Sequence, residues 1–333
     1  MMHHFFLLLV LLACQAVPLC AAGEPAAKVV LPPSGDAEAA PHGAGNLYAP
    51  DVLYDNVPAD NHRFRMWYGA QGRDGHDQIY LAESPDGEHW TRKGLAIPRG
   101  TANHVNDPSV LRVGSRWYMF YTHTPRDVLD EIALAISADG LHWELHGTVF
   151  RPGKPDHWDG LSVGRPSVLH ENGRFLLWYD GRKDFPPGSP IQNVPVSKHS
   201  SRAVGLAVST DGKNFQRIQE TPVFGEDAGA VHVTRLQQAD AQKQYILTFE
   251  SRAGTRFSLS TDGRHWSPSR LLLPKSSQPT EAFGHVTPFL WISPDQTQAL
   301  LFYGASSAES WDHNRIAMFP LTRQELIRRL ATP

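Results

Sequence analysis

The sequence predicts an all-β chain folded as a five-bladed β-propeller, and three observations carry that prediction. A unit of the form S-x-D-G-x-x-(W/F) occurs four times, beginning at Ser84, Ser137, Ser209 and Ser260. Each copy is preceded by the same succession of three short apolar or aromatic runs. The copies recur at roughly 50 to 70 residues, the period of a four-stranded unit repeated around an axis.

The units follow in order. The first holds "APDVLYD" (49–55), "RFRMWYG" (63–69) and "QIYLAES" (78–84); the second "NDPSVLRV" (106–113), "RWYMFYT" (116–122) and "EIALAIS" (131–137). The third holds "GRPSVLH" (164–170), "RFLLWYD" (174–180) and "AVGLAVS" (203–209); the fourth "GAVHVTRL" (229–236), "QYILTFE" (244–250) and "TRFSLS" (255–260). These runs are rich in β-branched and aromatic residues and are bounded by Gly, Pro, Asn and Asp, as strands are. A fifth unit, "GHVTPFLW" (284–291), "ALLFYGA" (299–305) and "RIAMFPL" (315–321), lacks the terminal Asp-Gly turn. One further strand after each hairpin makes four antiparallel strands per blade. "TRQELIRRL" (322–330) reads as a short C-terminal helix packed outside.

The repeated Asp-Gly pair is a turn, not a site. Gly supplies a positive φ, the Asp side chain bonds its own turn backbone, and the aromatic two residues on packs between neighbouring sheets. Asp86, Asp139, Asp211 and Asp262 are therefore structural, and the histidines of the "HW" pairs (His89, His142, His265) lie on the face away from any site.

Composition bounds the partners. The chain has 333 residues, 41% hydrophobic, with a formal net charge of −3. That balance argues against nucleic acid, which is bound mainly through phosphates. Residues 1–22 read as an export signal whose apolar core, "FFLLLVLLA" (5–13), is too short to span a bilayer. "LLAC" (11–14) offers a second reading, a lipoprotein signal that would leave a lipid anchor at Cys14. The protein is accordingly expected to be secreted or periplasmic, or anchored as a lipoprotein, with no transmembrane helix in its mature form. Cys14 and Cys20 are the only cysteines, so the body carries no disulfide or thiolate metal site. Residues 23–45, rich in Ala, Pro and Gly, read as a disordered spacer, leaving 46–333 as one propeller domain.

Strand polarity selects the working face. If each first strand starts at the top, each second strand ends there, and the Asp-Gly hairpins fall at the bottom. First-strand starts then bring Asp51, Asp107, Arg165, His232, Glu281 and His285 to one mouth; second-strand ends add His123, Asp180, Glu250 and Arg252. The hairpins repeat themselves, whereas these positions differ from blade to blade and are charged or imidazole groups, which marks a pocket. The long loop at 182–202 reads as a wall or lid over it.

These motifs, "APDV" (49–52), "NDPSV" (106–110), "HWDGLSVGRPSVL" (157–169) and the repeated A-x-S-x-D-G-x-x-W, resemble the five-bladed propeller glycoside hydrolases of family 43 and the related families 32, 62, 68, 117 and 130. The resemblance spans nearly all of 45–321. It implies an Asp as base or nucleophile, a second Asp that tunes pKa and positions the sugar, and a third-blade Glu as general acid. Asp51 and Asp107 match the first two; Arg165 in "VGRPSV" stands where the Glu would be. Glu250 is the expected replacement acid, with Asp180, Glu281 and His285 as alternatives. Arg165, Asp180, His123, His232, Arg252, Glu281 and His285 are the expected substrate-binding set. Arg165, Arg182 and Arg252 would either hold an acidic sugar or pair with the site's own carboxylates. Trp158 and Trp311 would stack on a sugar or pack between blades.

The expected activity is glycosidic bond hydrolysis on poly- or oligosaccharides. The alternatives are a non-catalytic carbohydrate-binding propeller and a phosphorylase like those of family 130. No catalytic metal or cofactor is expected, since no His-x-x-x-His helix and no Gly-rich nucleotide loop occurs; a structural calcium in the axial channel stays open.

Overall fold

Every blade is built on a second strand whose residues are buried on both faces, so the sheets must stack against one another around an axis. A computed structural model describes residues 26–33, 45–55, 64–126, 129–189, 191, 193–237, 243–307 and 313–332. The short strand β1 (Lys28–Leu31) comes first in the chain and belongs to the last blade. Blade I is β2 (Leu47–Tyr54), β3 (Phe64–Gln71), β4 (Asp77–Ser84) and β5 (Thr91–Ile97). Blade II is β6 (His104–Val113), β7 (Arg116–Thr124), β8 (Glu131–Ser137) and β9 (Glu144–Phe150). Blade III is β10 (Ser162–Glu171), β11 (Arg174–Arg182), β12 (Ala203–Ser209) and the two-residue β13 (Gln216–Arg217). Blade IV is β14 (His232–Gln237), β15 (Lys243–Phe249), β16 (Gly254–Ser260) and β17 (Arg270–Pro274). Blade V is β18 (Gly284–Ile292), β19 (Gln298–Ser306) and β20 (Asn314–Thr322), completed by β1, and α1 (Arg323–Ala331) follows. The five first strands touch in the order β2, β6, β10, β14, β18 and back to β2, closing the ring.

The fourth strand of blade V corrects the spacer reading of 23–45. Lys28 pairs with Met318 and Val29 with Ala317, and Leu31 is buried against the core of blades I and V. The short apolar run "KVVL" is claimed by the open edge of β20, whose unpaired backbone groups need a partner. Residues 1–25 and 34–44, which include the signal, Cys14 and Cys20, lie outside the described residues, as does Trp311.

The four Asp-Gly turns have the expected structural role. In each, the Ser hydroxyl accepts the Gly amide and donates to the Asp, which accepts two backbone amides, as Asp139 does from Leu141 and His142. Gly263 has φ +73°, and a Cβ there would lie 2.8 Å from the Trp178 ring, so no other residue fits. The returning aromatic inserts into the preceding blade: Trp90 meets Phe302, Trp143 meets Trp67, and Phe215 meets Phe120. Trp266 packs into the cluster around Trp178. These sockets occupy one register position, opposite Phe289, Asp51, Ser109 and Ser167. Blade IV has Thr248 there, opposite His232. That is the blade followed by the one unit with no hairpin aromatic to receive.

Among the described residues no helix is long and apolar enough to cross a membrane.

Candidate active site

One backbone irregularity, repeated in every blade, decides which side chains reach the mouth. Ala49, Asp107, Arg165, Ala230 and Thr287 all adopt left-handed φ values of 46–52°. In four blades the ladder register breaks at this residue, the mark of a β-bulge. The same four residues precede a proline (Pro50, Pro108, Pro166, Pro288), which disfavours the ordinary helical well and has no amide to leave unpaired in the bulge. Such conformations cost on the order of 1–3 kcal/mol each and need external support. Support comes from neighbouring side chains. The Arg165 amide donates to Thr122 Oγ1 at 2.8 Å, Ala230 to Asp180 Oδ2 at 2.8 Å, Thr287 to Glu250 Oε2 at 3.3 Å, and Ala49 to Thr287 Oγ1 at 2.6 Å.

In blades I to IV the residue two positions past this left-handed residue ties its blade to the next. Ser109 Oγ accepts the Val168 amide, Ser167 Oγ accepts Val233, and His232 Nδ1 accepts Leu290. Asp51 belongs to this series and accepts the Val110 amide. It lines a narrow axial cavity of about 30 Å³ walled by the bulge prolines. Burial holds its carboxyl well above the usual carboxylate range, the Val110 bond opposing. The expectation that Asp51 shares a frame with Asp107 is therefore corrected. Ala49 is the true counterpart of Asp107 and Arg165. His232 is likewise an axial staple, its imidazole pushed down to about 3 by burial.

A cavity of about 890 Å³ opens above the bulges. Asp107, Arg165, Glu250 and Arg252, four of the expected site residues, line it together. The Asp107 carboxyl is raised to about 7 by burial, although Arg165 and the Thr122 hydroxyl pull it down. Arg165 donates to Asp180 Oδ1 at 2.9 Å and lies 3.6 Å from Asp130. Burial works against its charge, but the surrounding carboxylates hold the guanidinium protonated. Glu250 pairs with Arg202 at 2.5 Å. The 182–202 loop forms one wall, contributing Arg182, Pro186, Ser200, Ser201 and Arg202. The opposite wall carries Tyr48, Asp77 and Asn106, where Asn106 Nδ2 donates to Tyr48 Oη at 2.9 Å.

The remaining expected residues do not line this cavity. Asp180 is buried beneath it as the partner of Arg165 and Ala230. His123 lies along β7 with Nδ1 buried, its basicity lowered by burial. Glu281 and His285 form a closed unit: His285 Nε2 is 2.8 Å from Glu281 Oε2, Tyr303 donates to the same oxygen, and Tyr303 stacks on the imidazole. His285 is 0% exposed, so burial and partners remove it as a proton donor to substrate. Trp158 stacks on Tyr179 inside blade III. Arg202, Tyr48, Asp77 and Asn106 escaped sequence reasoning. Tyr48 and Asn106 each immediately precede a bulge residue, a signal that alignment on the prolines would have exposed. Among the described residues no group of three or more His, Cys, Asp or Glu side chains converges as a metal site would.

Fold and cavity define the chain as a five-bladed propeller of the architecture that glycoside hydrolases use. A solved structure described as a glycoside hydrolase matches 89% of the chain and 92% of its own length, with a TM-score of 0.66 and 16% identity. A family 117 glycoside hydrolase of the marine bacterium Zobellia galactanivorans matches 89% and 90%, with a TM-score of 0.61 and 15% identity. An N-acetylgalactosamine deacetylase from F. plautii matches 91% and 96%, with a TM-score of 0.61 and 16% identity. At these identities the likeness is one of fold. No protein-family model matches the sequence. An uncharacterized protein of Mycobacterium tuberculosis is 30% identical over 141 residues, 39% of this chain and 46% of the relative. A probable sucrose-6-phosphate hydrolase of Psychromonas ingrahamii is 35% identical over 77 residues, 22% of this chain and 14% of the relative. The chain thus spans less than half the length of the curated relatives it matches.

Proposed function

We propose that the protein is a glycoside hydrolase that cleaves poly- or oligosaccharides in the cavity above the bulges, with Asp107 as proton donor and Glu250 as the second carboxylate. The observation that carries this reading is the Asp107 carboxyl, raised to about 7 on the wall of a cavity that also presents Glu250. A general acid must be protonated at working pH and within reach of the leaving oxygen, and burial meets the first need. Thr122 holds the carboxyl in place, since its hydroxyl bonds Asp107 while accepting the Arg165 amide. Glu250, aimed by Arg202 and the Thr287 amide, would accept the proton of the attacking water or attack the sugar carbon itself. Export of residues 1–22, with a lipid anchor at Cys14 as the alternative, would place the activity outside the cytoplasm.

Arg165 favours one second reading, a propeller that binds glycans without cleaving them. It fills the bulge position of blade III with a cation held by two carboxylates. One experiment separates the two: incubation with a panel of plant, algal and microbial oligosaccharides, followed by reducing-end detection for wild type and Asp107→Asn. Release of new reducing ends that Asp107→Asn abolishes supports hydrolysis. Glycan binding with no cleavage in either form would establish the binding reading instead.

A further inference from the structure

Two arginines in the cavity stand outside its ion pairs. Arg182 stacks on Phe185, its guanidinium carbon 4.5 Å from the ring centre, and Arg252 stacks on Phe283 at 4.7 Å. Neither makes an ion pair with a described carboxylate. The carboxylates around them are already engaged. Asp227 accepts the Arg202 amide, Glu250 pairs with the Arg202 guanidinium, Glu226 is bound by Ser269, and Asp180 holds Arg165. Burial lowers the basicity of Arg182, and the neighbouring Arg165 adds to that effect, against the pull of Asp180 and Asp227. A guanidinium stacked on a ring keeps its in-plane N–H donors free, the arrangement that meets a carboxylate or sulfate edge-on.

The opposite wall has the complementary character. Asp77 Oδ1 and Asn106 Oδ1 are buried acceptors with no partner in the protein, and both residues line the cavity. Orphaned acceptors suit the hydroxyl donors of a sugar ring and repel an anion. The cavity therefore offers donors with positive charge on one side and acceptors on the other.

We infer that the glycan bound here carries an oxyanion, a carboxylate or a sulfate ester, which Arg182 and Arg252 hold while its sugar hydroxyls face Asp77 and Asn106. This rests on the reading that the cavity takes a carbohydrate, and it names the class of carbohydrate. It does not depend on cleavage.

The test is calorimetric binding with the full mature chain, in the Asp107→Asn form so that nothing is consumed. Ligands are matched pairs: uronic acid oligosaccharides against their carboxyl-reduced forms, sulfated oligosaccharides against desulfated forms, and inorganic phosphate alone. The acidic member of at least one pair should bind about tenfold or more tightly than its neutral twin, and that preference should shrink with added salt. Arg182→Gln and Arg252→Gln should each erase most of it; the exposed Arg252 keeps the test valid if the Arg182 variant misfolds. The pair that responds tells uronate from sulfate. Equal or better binding of neutral twins, binding of inorganic phosphate alone, or no binding of any acidic member overturns the inference. Cleavage of neutral glycans would then still support hydrolysis, whereas acidic binding without cleavage anywhere would leave this inference standing and remove the hydrolase.

Discussion

The Arg165 guanidinium donates to one oxygen of Asp180 at 2.9 Å, and the other oxygen of that carboxylate accepts the backbone amide of Ala230 at 2.8 Å. A side chain on the bulge of blade III is thereby tied, through a buried carboxylate, to Ala230, the left-handed residue at the entry to blade IV. Arg165 is a structural cation before it is anything else. Replacing it with Met should leave Asp180 and Asp130 without their counter-charge. Breaking a fully buried pair costs about 3–5 kcal/mol. Because the Arg165 side chain is 31% exposed, we expect about 2–4 kcal/mol by urea denaturation. A loss too small to measure would show that the carboxylates are content without it.

Asp107 predicts two pH dependences of opposite use. As proton donor it must be protonated, so kcat/KM should fall as pH rises through about 7. Asp107→Asn should lower kcat by about 10²–10⁴-fold. A plateau extending well above that pH would assign the donor elsewhere.

The same shift acts on stability. The folded carboxyl titrates near 7 against 3.8 for an unperturbed one, so the folded state holds the extra proton between those values. Stability contributed by this group is full below the lower value and is lost as pH rises through the upper. Thermal unfolding should therefore show Asp107→Asn gaining on the wild type from pH 4 to pH 8. A constant gap across that range would contradict the burial argument.

Asp51→Asn distinguishes staple from catalyst. Asn can still accept the Val110 amide and carries no charge to bury, so activity should stay within a few-fold and stability should not fall. A drop of about 10³-fold in turnover, with the fold intact, would return Asp51 to the catalytic set.

The Asp-Gly hairpins should behave as independent fasteners. Asp139→Ala removes an acceptor of two backbone amides and should cost about 1 kcal/mol, with no change in KM. The His142 imidazole, together with those amides, holds the Asp139 carboxyl well below its ordinary value. Its contribution is thus present above about pH 4 and lost on acidification. Equilibrium unfolding at pH 7 and pH 3 would reveal the difference, and a variant equally unstable at both would refute it.

Leu31→Ala tests the last closure. Its side chain is 1% exposed, and truncating such a leucine costs about 2–5 kcal/mol. A smaller effect than any blade-interior leucine would mean that β1 is dispensable.

Much of this architecture was legible because its devices repeat. The Asp-Gly turn and the aromatic after it are local, and each writes the same short string. The bulge was harder, since it shifts the strand frame by one residue without altering composition. "APDV" and "NDPSV" look alike, yet the prolines show that Ala49, not Asp51, stands with Asp107. The axial role of Asp51 followed from that slip. Arg202 and Arg182 sit at the two ends of a long loop whose length announced a wall, but nothing local says which of its charges turn inward. β1 was invisible for a different reason. Three apolar residues and a lysine beside two prolines become a strand only because β20, far along the chain, leaves an edge open.

That edge has a consequence for how the molecule is made. Leu31 pairs with Ile316, so the ring cannot shut until β20 has been synthesised. Blades I to IV can each assemble as neighbours arrive, but the nascent protein must wait with an open seam, and its first strand must stay unengaged throughout. Because the first and last strands of the propeller, β1 and β20, meet on one blade, linking α1 to β1 and cutting between blades II and III should give a permutant with the same pocket and a different order of assembly.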